Sequence, residues 1–219
     1  MLNRGGQGVR VTAVIPAYNE ERTVAQVVRA VIASPLVADV VVVNDGSRDA
    51  TSLAAARAGA RVIDLPENRG KGAAIQAGVA ASQGETLLLL DADLVGLEAD
   101  HIQRLLSPVL GGEAEMTIGV FEQGRTFTDL AQVITPGLSG QRAVLRSLLQ
   151  GVAGLDLARF GSEVALNRTA ERTRARVVTV QLPRLTHVMK EEKMGFARGF
   201  LARLRMYGDI LAAAWRQRG

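Results

Sequence analysis

The chain has 219 residues, 47% of them hydrophobic and 22% charged, which is ordinary globular composition with enough length for a sizeable α/β core. Cysteine is absent, so disulfide frameworks and thiolate metal sites are excluded. The net charge of +4 is unevenly placed: residues 184–219 carry eight Lys/Arg against three Asp/Glu, and the remainder is close to neutral. A basic tail of this kind suits phosphates, an anionic membrane or nucleic acid.

The opening MLNRGGQGVR lacks the apolar stretch of a secretion signal. No apolar run approaches the roughly 20 residues that span a bilayer. The expectation is a cytoplasmic protein, soluble or peripheral at the inner membrane face.

Residues 10–15 (RVTAVI) form a short β-branched run closed by Pro16, and 20–33 follow with helical character. Residues 39–43 (DVVVV) read as an apolar strand ending in the turn Asn44-Asp45-Gly46-Ser47. An Ala-rich helix over 49–58, a strand over 61–64, a helix over 70–82 and a strand over 85–90 complete an alternating β-α series. These strands are apolar without alternation, as expected when helices cover both faces of a parallel sheet. Beyond Gly96 the pattern predicts a helix over 100–109, a strand over 115–121, a helix over 141–150 and a strand over 176–181. No repeat, low-complexity tract or linker interrupts the chain. One domain over 1–219 is the simplest division, with parts 1–95, 96–189 and a helical extension over 190–219.

Ligands of such sheets gather beyond the carboxyl ends of the strands. Three strand ends there carry reactive groups: PAYNE, NDGS and DAD. In the last, Asp91 and Asp93 are two positions apart. In an extended chain they point to one side, roughly 7 Å from each other. Like charges about 4 Å apart repel by roughly 4 kcal/mol at an effective dielectric of 20, and a divalent cation reverses that sign. Carboxylate oxygens suit Mg²⁺ or Mn²⁺. The competing reading is a solvated loop in which one Asp caps the next helix. NDGS is equally turn chemistry, and Asn19 with Glu20 reads equally as a helix cap and acidic first turn. Lys71 lies between Gly70 and Gly72, where a ligand can approach the backbone and the following helix N-terminus favours anions. It is not a Walker loop, because the position of the first glycine is Leu65. No GxGxxG follows the first strand.

In order, VIPAYNEE, VVVNDGSRDAT, NRGKGAAIQAG and LLLLDAD resemble the nucleotide-sugar half of family 2 glycosyltransferases of the GT-A fold. The resemblance covers roughly the first 95 residues. It implies a Rossmann-like, mostly parallel sheet flanked by helices. It also implies that Pro16, Ala17, Tyr18 and Glu20 line a nucleotide pocket and that Asp45 accepts a hydrogen bond from the base. Lys71 would contact the base, the ribose or the phosphates. Asp91, Ala92 and Asp93 would be the DxD segment beside the nucleotide sugar, holding Mg²⁺ or Mn²⁺ against the diphosphate, with Asp93 in a catalytic role.

The second half resembles, more loosely, polyprenyl- or dolichyl-phosphate sugar synthases and glucosyl-3-phosphoglycerate synthases. Thr135–Arg142 matches their acceptor loop, which implies acceptor binding by Ser139, Gly140, Gln141 and Arg142. Phe160-Gly161-Ser162-Glu163-Val164 matches a segment beside the reacting sugar. Glu163 there is either the base for an acceptor hydroxyl or an orienting hydrogen-bond partner. Leu185-Thr186-His187 matches a Thr-His pair whose histidine joins the metal, which makes His187 the third ligand. A structural histidine is the competing reading. His101 has no such context and reads as a solvated helix residue. Arg142 and Arg146, one turn apart on the expected helix, either hold an acceptor phosphate or form an exposed basic face.

The implied activity is metal-dependent transfer of a sugar from a nucleoside diphosphate to a phosphate-bearing or lipid-linked acceptor. UDP-glucose is the first donor choice and GDP-mannose the second. A sugar nucleotidyltransferase is disfavoured because PAYNE stands where its Gly-rich loop belongs. A non-catalytic sugar-nucleotide-binding protein is disfavoured by the intact acidic pair and Lys71. Nucleic-acid binding lacks a motif and interleaved aromatics. In the tail, Phe196, Phe200, Leu204, Tyr207, Leu211 and Trp215 fall at 4-4-3-4-4 spacing. Such a helix packs on the catalytic domain, pairs two subunits as a homodimer, or lies in a membrane interface.

Overall fold

A computed structural model of the protein describes residues 10–121, 139–152 and 161–187. The acceptor-loop residues 135–138, Phe160 and the amphipathic stretch over 190–219 lie outside the described residues.

The chain begins β1 (Val11–Ala17), α1 (Val24–Ile32), β2 (Asp39–Asn44), α2 (Thr51–Arg57), β3 (Arg61–Asp64), α3 (Lys71–Ala81) and β4 (Thr86–Leu89). It continues through β5 (Leu94–Val95), α4 (Ala99–Leu110), β6 (Met116–Phe121), β7 (Arg142–Leu145) and α5 (Arg146–Gln150). Then come α6 (Ser162–Thr173), β8 (Val177–Leu182) and β9 (Thr186–His187). Seven strands form one sheet in the order β3-β2-β1-β4-β7-β6-β8, and β5 pairs with β9 beside it. β1, β2, β3 and β4 are parallel neighbours, while β7 runs antiparallel to both β4 and β6. This is the mostly parallel, helix-flanked sheet that the resemblance implies.

The missing alternation in the strands has a direct cause. On β1, Ala13 and Ile15 join one apolar cluster with α1 and α4, while Val14 joins another with α3. Burial on both faces leaves no solvent side to be polar. α3 comes close enough to the sheet that a Cβ on Gly78 would stand 2.4 Å from Val14 Cγ1 and 3.0 Å from Val43 Cγ2. β4 sits at the middle of the sheet, with Leu87, Leu88, Leu89 and Leu90 all buried.

Residues 141–150 are not one helix. Arg142–Leu145 is a strand paired with β4 and β6, and only Arg146–Gln150 is helical. Sheet pairing overrides the helix preference of Arg, Ala and Leu here. The split separates the two arginines. Arg146 turns to the end of α3, donating to Gly84 O, Val79 O and Ser82 Oγ at 2.7, 2.9 and 2.7 Å. There it caps carbonyls at the negative end of a helix. Among the described residues, no helix is long and apolar enough to cross a membrane.

Candidate active site at the carboxyl ends of the strands

Two loops after β1 and β2 are laced together. Asn19 takes a left-handed backbone (φ 56°), which asparagine tolerates. Its N–H donates to Ser47 Oγ at 2.9 Å, and its Oδ1 accepts from the Arg48 N–H at 2.9 Å. The Glu20 N–H donates to Thr51 Oγ1 at 2.8 Å, and the Glu20 carboxylate accepts from Thr23 Oγ1 at 3.1 Å. Pro16 and Ala17 end β1 opposite Val43 and Asn44, and Tyr18 stands 43% exposed just beyond. PAYNE and NDGS thus form one rim, with the Tyr18 ring available to stack on a planar ligand.

Asp45 is buried, and its two oxygens accept the N–H groups of Arg69 and Gly70, each at 2.8 Å. It thereby fixes the loop that delivers Lys71 at the start of α3. Gly46 is required at this crossing. Its φ is +69°, and a Cβ would stand 2.6 Å from the Glu67 carbonyl carbon.

Lys71 Nζ lies 2.5 Å from Asp91 Oδ1 and 2.6 Å from Glu163 Oε1. Burial favours discharging Lys71, but the two carboxylates outweigh it and hold the ammonium above the usual lysine range. Burial likewise opposes the Asp91 carboxylate, and Lys71 and His187 outweigh it, holding the acid below its usual range. Glu163, in the first turn of α6, accepts the Ser162 hydroxyl on Oε2 at 2.8 Å. The loop before β7 closes this cluster from the other side. Gln141 is fully buried and donates Nε2 to Asp91 Oδ2 at 2.8 Å, while its own Oε1 accepts Ser139 Oγ at 2.8 Å. Gly140 is the contact point: a Cβ there would lie 2.5 Å from both Lys71 Nζ and Asp91 Oδ2.

Of the four residues that the resemblance makes an acceptor loop, Gly140 and Gln141 meet Asp91 directly, while Ser139 bonds to both Gln141 and Arg142. Arg142 is 1% exposed and donates to Ser139 O at 2.9 Å and Asn167 Oδ1 at 2.6 Å. Burial pulls its guanidinium down to about 10 against the opposing pull of Glu163 and Asp91. It ties this loop to the helix that carries Glu163.

Asp93 and His187 complete the cluster. His187 Nδ1 is 3.1 Å from Asp93 Oδ1, and Phe121 meets the imidazole edge-on with centroids 4.8 Å apart. Burial disfavours the imidazolium, but Asp93 and Asp91 outweigh it and raise the His187 pKa above its ordinary value. One ligand atom from each of Asp91, Asp93 and His187 lies within 4.8 Å of the others. Two hard carboxylate donors and one imidazole suit Mn²⁺ or Mg²⁺. Ala92 is buried between the two acids.

His101 is a correction. It is 2% exposed, not solvated. Its Nδ1 accepts the Glu98 N–H at 3.0 Å, and its Nε2 lies 2.8 Å from Pro183 O. Its three-residue distance from Glu98 is the only sequence signal for half of this arrangement, the reciprocal cap of α4. Gln141 meets Asp91 across 50 positions and Asn167 meets Arg142 across 25, contacts that no local pattern announces.

The chain is similar in sequence and in fold to several known proteins. The family described as "Glycosyl transferase family 2" matches residues 12–149. Glucosyl-3-phosphoglycerate synthase from Mycobacterium tuberculosis is 30% identical over 178 residues, covering 70% of this chain and 54% of that protein. Dolichyl-phosphate beta-glucosyltransferase ALG5C from Trichomonas vaginalis is 40% identical over 99 residues, covering 39% of this chain and 29% of that protein. The chain thus spans about half the length, or less, of these curated relatives. The crystal structure of the M. tuberculosis synthase with Mn²⁺, UDP-glucose and phosphoglyceric acid matches with a TM-score of 0.67 and 27% identity, covering 83% of this chain and 72% of that one. The same synthase with Mg²⁺ and UDP matches with a TM-score of 0.67 and 26% identity, covering 90% and 79%. With its family profile matched from β1 to α5, the chain belongs to glycosyl transferase family 2.

Proposed function

We propose that the protein transfers a glucosyl group from UDP-glucose to a phosphate-bearing acceptor, with a divalent cation at Asp91, Asp93 and His187. The observation that carries this reading is the meeting of those three residues with Lys71 and Glu163 at one sheet edge. The relatives' names pair a glucosyl group with phosphoglycerate or dolichyl phosphate, so a phosphate-bearing acceptor is common to both. The phosphoglycerate complex of the synthase favours 3-phosphoglycerate as the first acceptor to test.

Breaking the bond between a sugar and a diphosphate builds negative charge on the leaving phosphate. A cation held by Asp91, Asp93 and His187 would supply positive charge against that leaving group. Lys71 adds a second, covalently fixed positive charge from the adjacent helix start. Because it is already in place, it stabilises the developing charge without reorganising. Glu163 is engaged by Lys71 on one oxygen and by Ser162 on the other. A carboxylate held this way suits hydrogen bonding to sugar hydroxyls, and we assign it an orienting role. The Tyr18 rim and the Asp45-fixed loop then form the nucleotide side of the pocket.

The test is product formation. Purified protein is mixed with UDP-glucose, Mn²⁺ and 3-phosphoglycerate, and the products are read by mass spectrometry. A glucosylated phosphoglycerate with stoichiometric UDP supports the proposal. Neither transfer nor donor hydrolysis with any nucleoside-diphosphate sugar would leave a non-catalytic binding protein as the better reading.

A further inference from the structure

We propose that His101, on α4 and outside the cation cluster, is a positioning residue for that cluster. It acts by fixing the segment that carries His187. The inference rests on Asp91, Asp93 and His187 forming a cation site.

The Glu98 N–H is a donor, so Nδ1 of His101 must accept and carries no proton. The ring's proton is then on Nε2, which donates to Pro183 O at 2.8 Å. The ring thus bonds the start of α4 on one side and residue 183 on the other. From Pro183 the chain turns sharply, with Arg184 in the left-handed region at φ 60°. Gly96 permits that turn: at φ +83°, a Cβ on it would stand 2.9 Å from Arg184 O. Leu185 then enters the same apolar cluster as Ile102 and Leu105 of α4. Thr186 and His187 pair with Val95 and Leu94, directly after Asp93.

A two-residue ladder is weak alone. Its register is supported at one end by Gln26 Nε2, which donates to Leu94 O at 3.0 Å. At the other end it is supported by the His101–Pro183 bond. The ion pair of Glu98 with Arg184, 4.0 Å apart with both side chains largely exposed, contributes little. Moving Pro183 would shift His187 relative to Asp93, and ligand sets tolerate only about 0.5 Å of such error.

The test separates holding the helix from holding the ligand. His101→Asn keeps an acceptor near the Nδ1 position for the Glu98 N–H but cannot reach Pro183. His101→Gln extends an amide donor toward Pro183 and serves as the rescue variant. Mn²⁺ affinity is measured by calorimetry in the presence of UDP, and UDP affinity is measured separately in EDTA. His101→Asn should weaken Mn²⁺ binding about tenfold, in the range seen when partners of metal ligands are removed. UDP affinity in EDTA should stay at the wild-type value, and His101→Gln should recover most of the Mn²⁺ affinity. In a His187→Ala background, His101→Asn should change Mn²⁺ affinity by less than about twofold, since its effect runs through His187. Wild-type Mn²⁺ affinity in His101→Asn, an equal loss in both backgrounds, or a parallel loss of metal-free UDP binding would overturn the proposal. If His101→Asn does not fold, weak Mn²⁺ binding by a folded His101→Gln has the same force. Wild-type protein that binds no Mn²⁺ with UDP would instead remove the cation site itself.

Discussion

His187 Nδ1 lies 3.1 Å from Asp93 Oδ1, although 94 positions separate the two residues in the chain. The β5–β9 pair makes this possible, because it sets Leu94 opposite His187. Two groups that share one ion should not contribute independently. Asp93→Asn and His187→Ala should each weaken Mn²⁺ binding, and the double variant should lose less than the sum of the two losses, with a coupling of about 0.5–3 kcal/mol. Strict additivity in a calorimetric double-mutant cycle would separate the two residues.

Gly140 should be intolerant of any side chain. A Cβ would stand 2.5 Å from Lys71 Nζ and 2.5 Å from Asp91 Oδ2. The ends of side chains can often move aside, but Glu163 and Gln141 hold these two in place. Gly140→Ala should therefore cost about 1–3 kcal/mol in denaturant unfolding, as overpacking does. It should also weaken donor binding, since the Lys71–Asp91 pair must part. Wild-type values for both would show that the pair relaxes freely.

Gly78 tests the helix–sheet packing. Alanine inside a helix is favoured over glycine by about 1 kcal/mol. Here its methyl would lie 2.4 Å from Val14 Cγ1, and relieving that contact costs about 1–3 kcal/mol. The clash should win, so Gly78→Ala should lower the urea midpoint. A raised midpoint would mean that α3 can lift from the sheet without loss.

Asp64 supplies the pH dependence. The Ser52 hydroxyl and the Asn44 amide donate to its carboxylate and hold its pKa below the reference value of 3.8. A depressed folded-state pKa gives stability that is complete above the unfolded value. That stability is lost as pH falls through the folded value. Asp64→Asn should thus be less stable than wild type at neutral pH, and the gap should narrow below about pH 3.8. Urea midpoints measured for both proteins from neutral to acid pH check this; a gap independent of pH contradicts it.

What could be read in advance divides by range. PAYNE, NDGS and DAD at strand ends and RGKG at a helix start are local strings, and their order alone carries the family resemblance. The β-α alternation through Leu90 was legible for the same reason, since each parallel strand and its crossover are continuous in sequence. Arg142–Leu145 was not legible as a strand, because its antiparallel partners lie far away in the chain and three of its four residues favour a helix. His101 reads as a polar residue on a helix until Pro183, 82 positions later, arrives at its Nε2. Gln141 matches an acceptor loop in sequence, and its amide nitrogen donates to Asp91, 50 positions away, a contact that no local string announces.

Asp91, Asp93 and His187 would together hold a divalent cation against a nucleoside diphosphate. The decisive measurement is a titration of UDP into the protein, first with Mn²⁺ and then with EDTA. UDP should bind tightly with Mn²⁺ and at least about tenfold more weakly in EDTA, and the difference should vanish in Asp93→Ala. Equal UDP affinity with and without Mn²⁺ in the wild-type protein, or an unchanged metal effect in Asp93→Ala, would contradict that cation site.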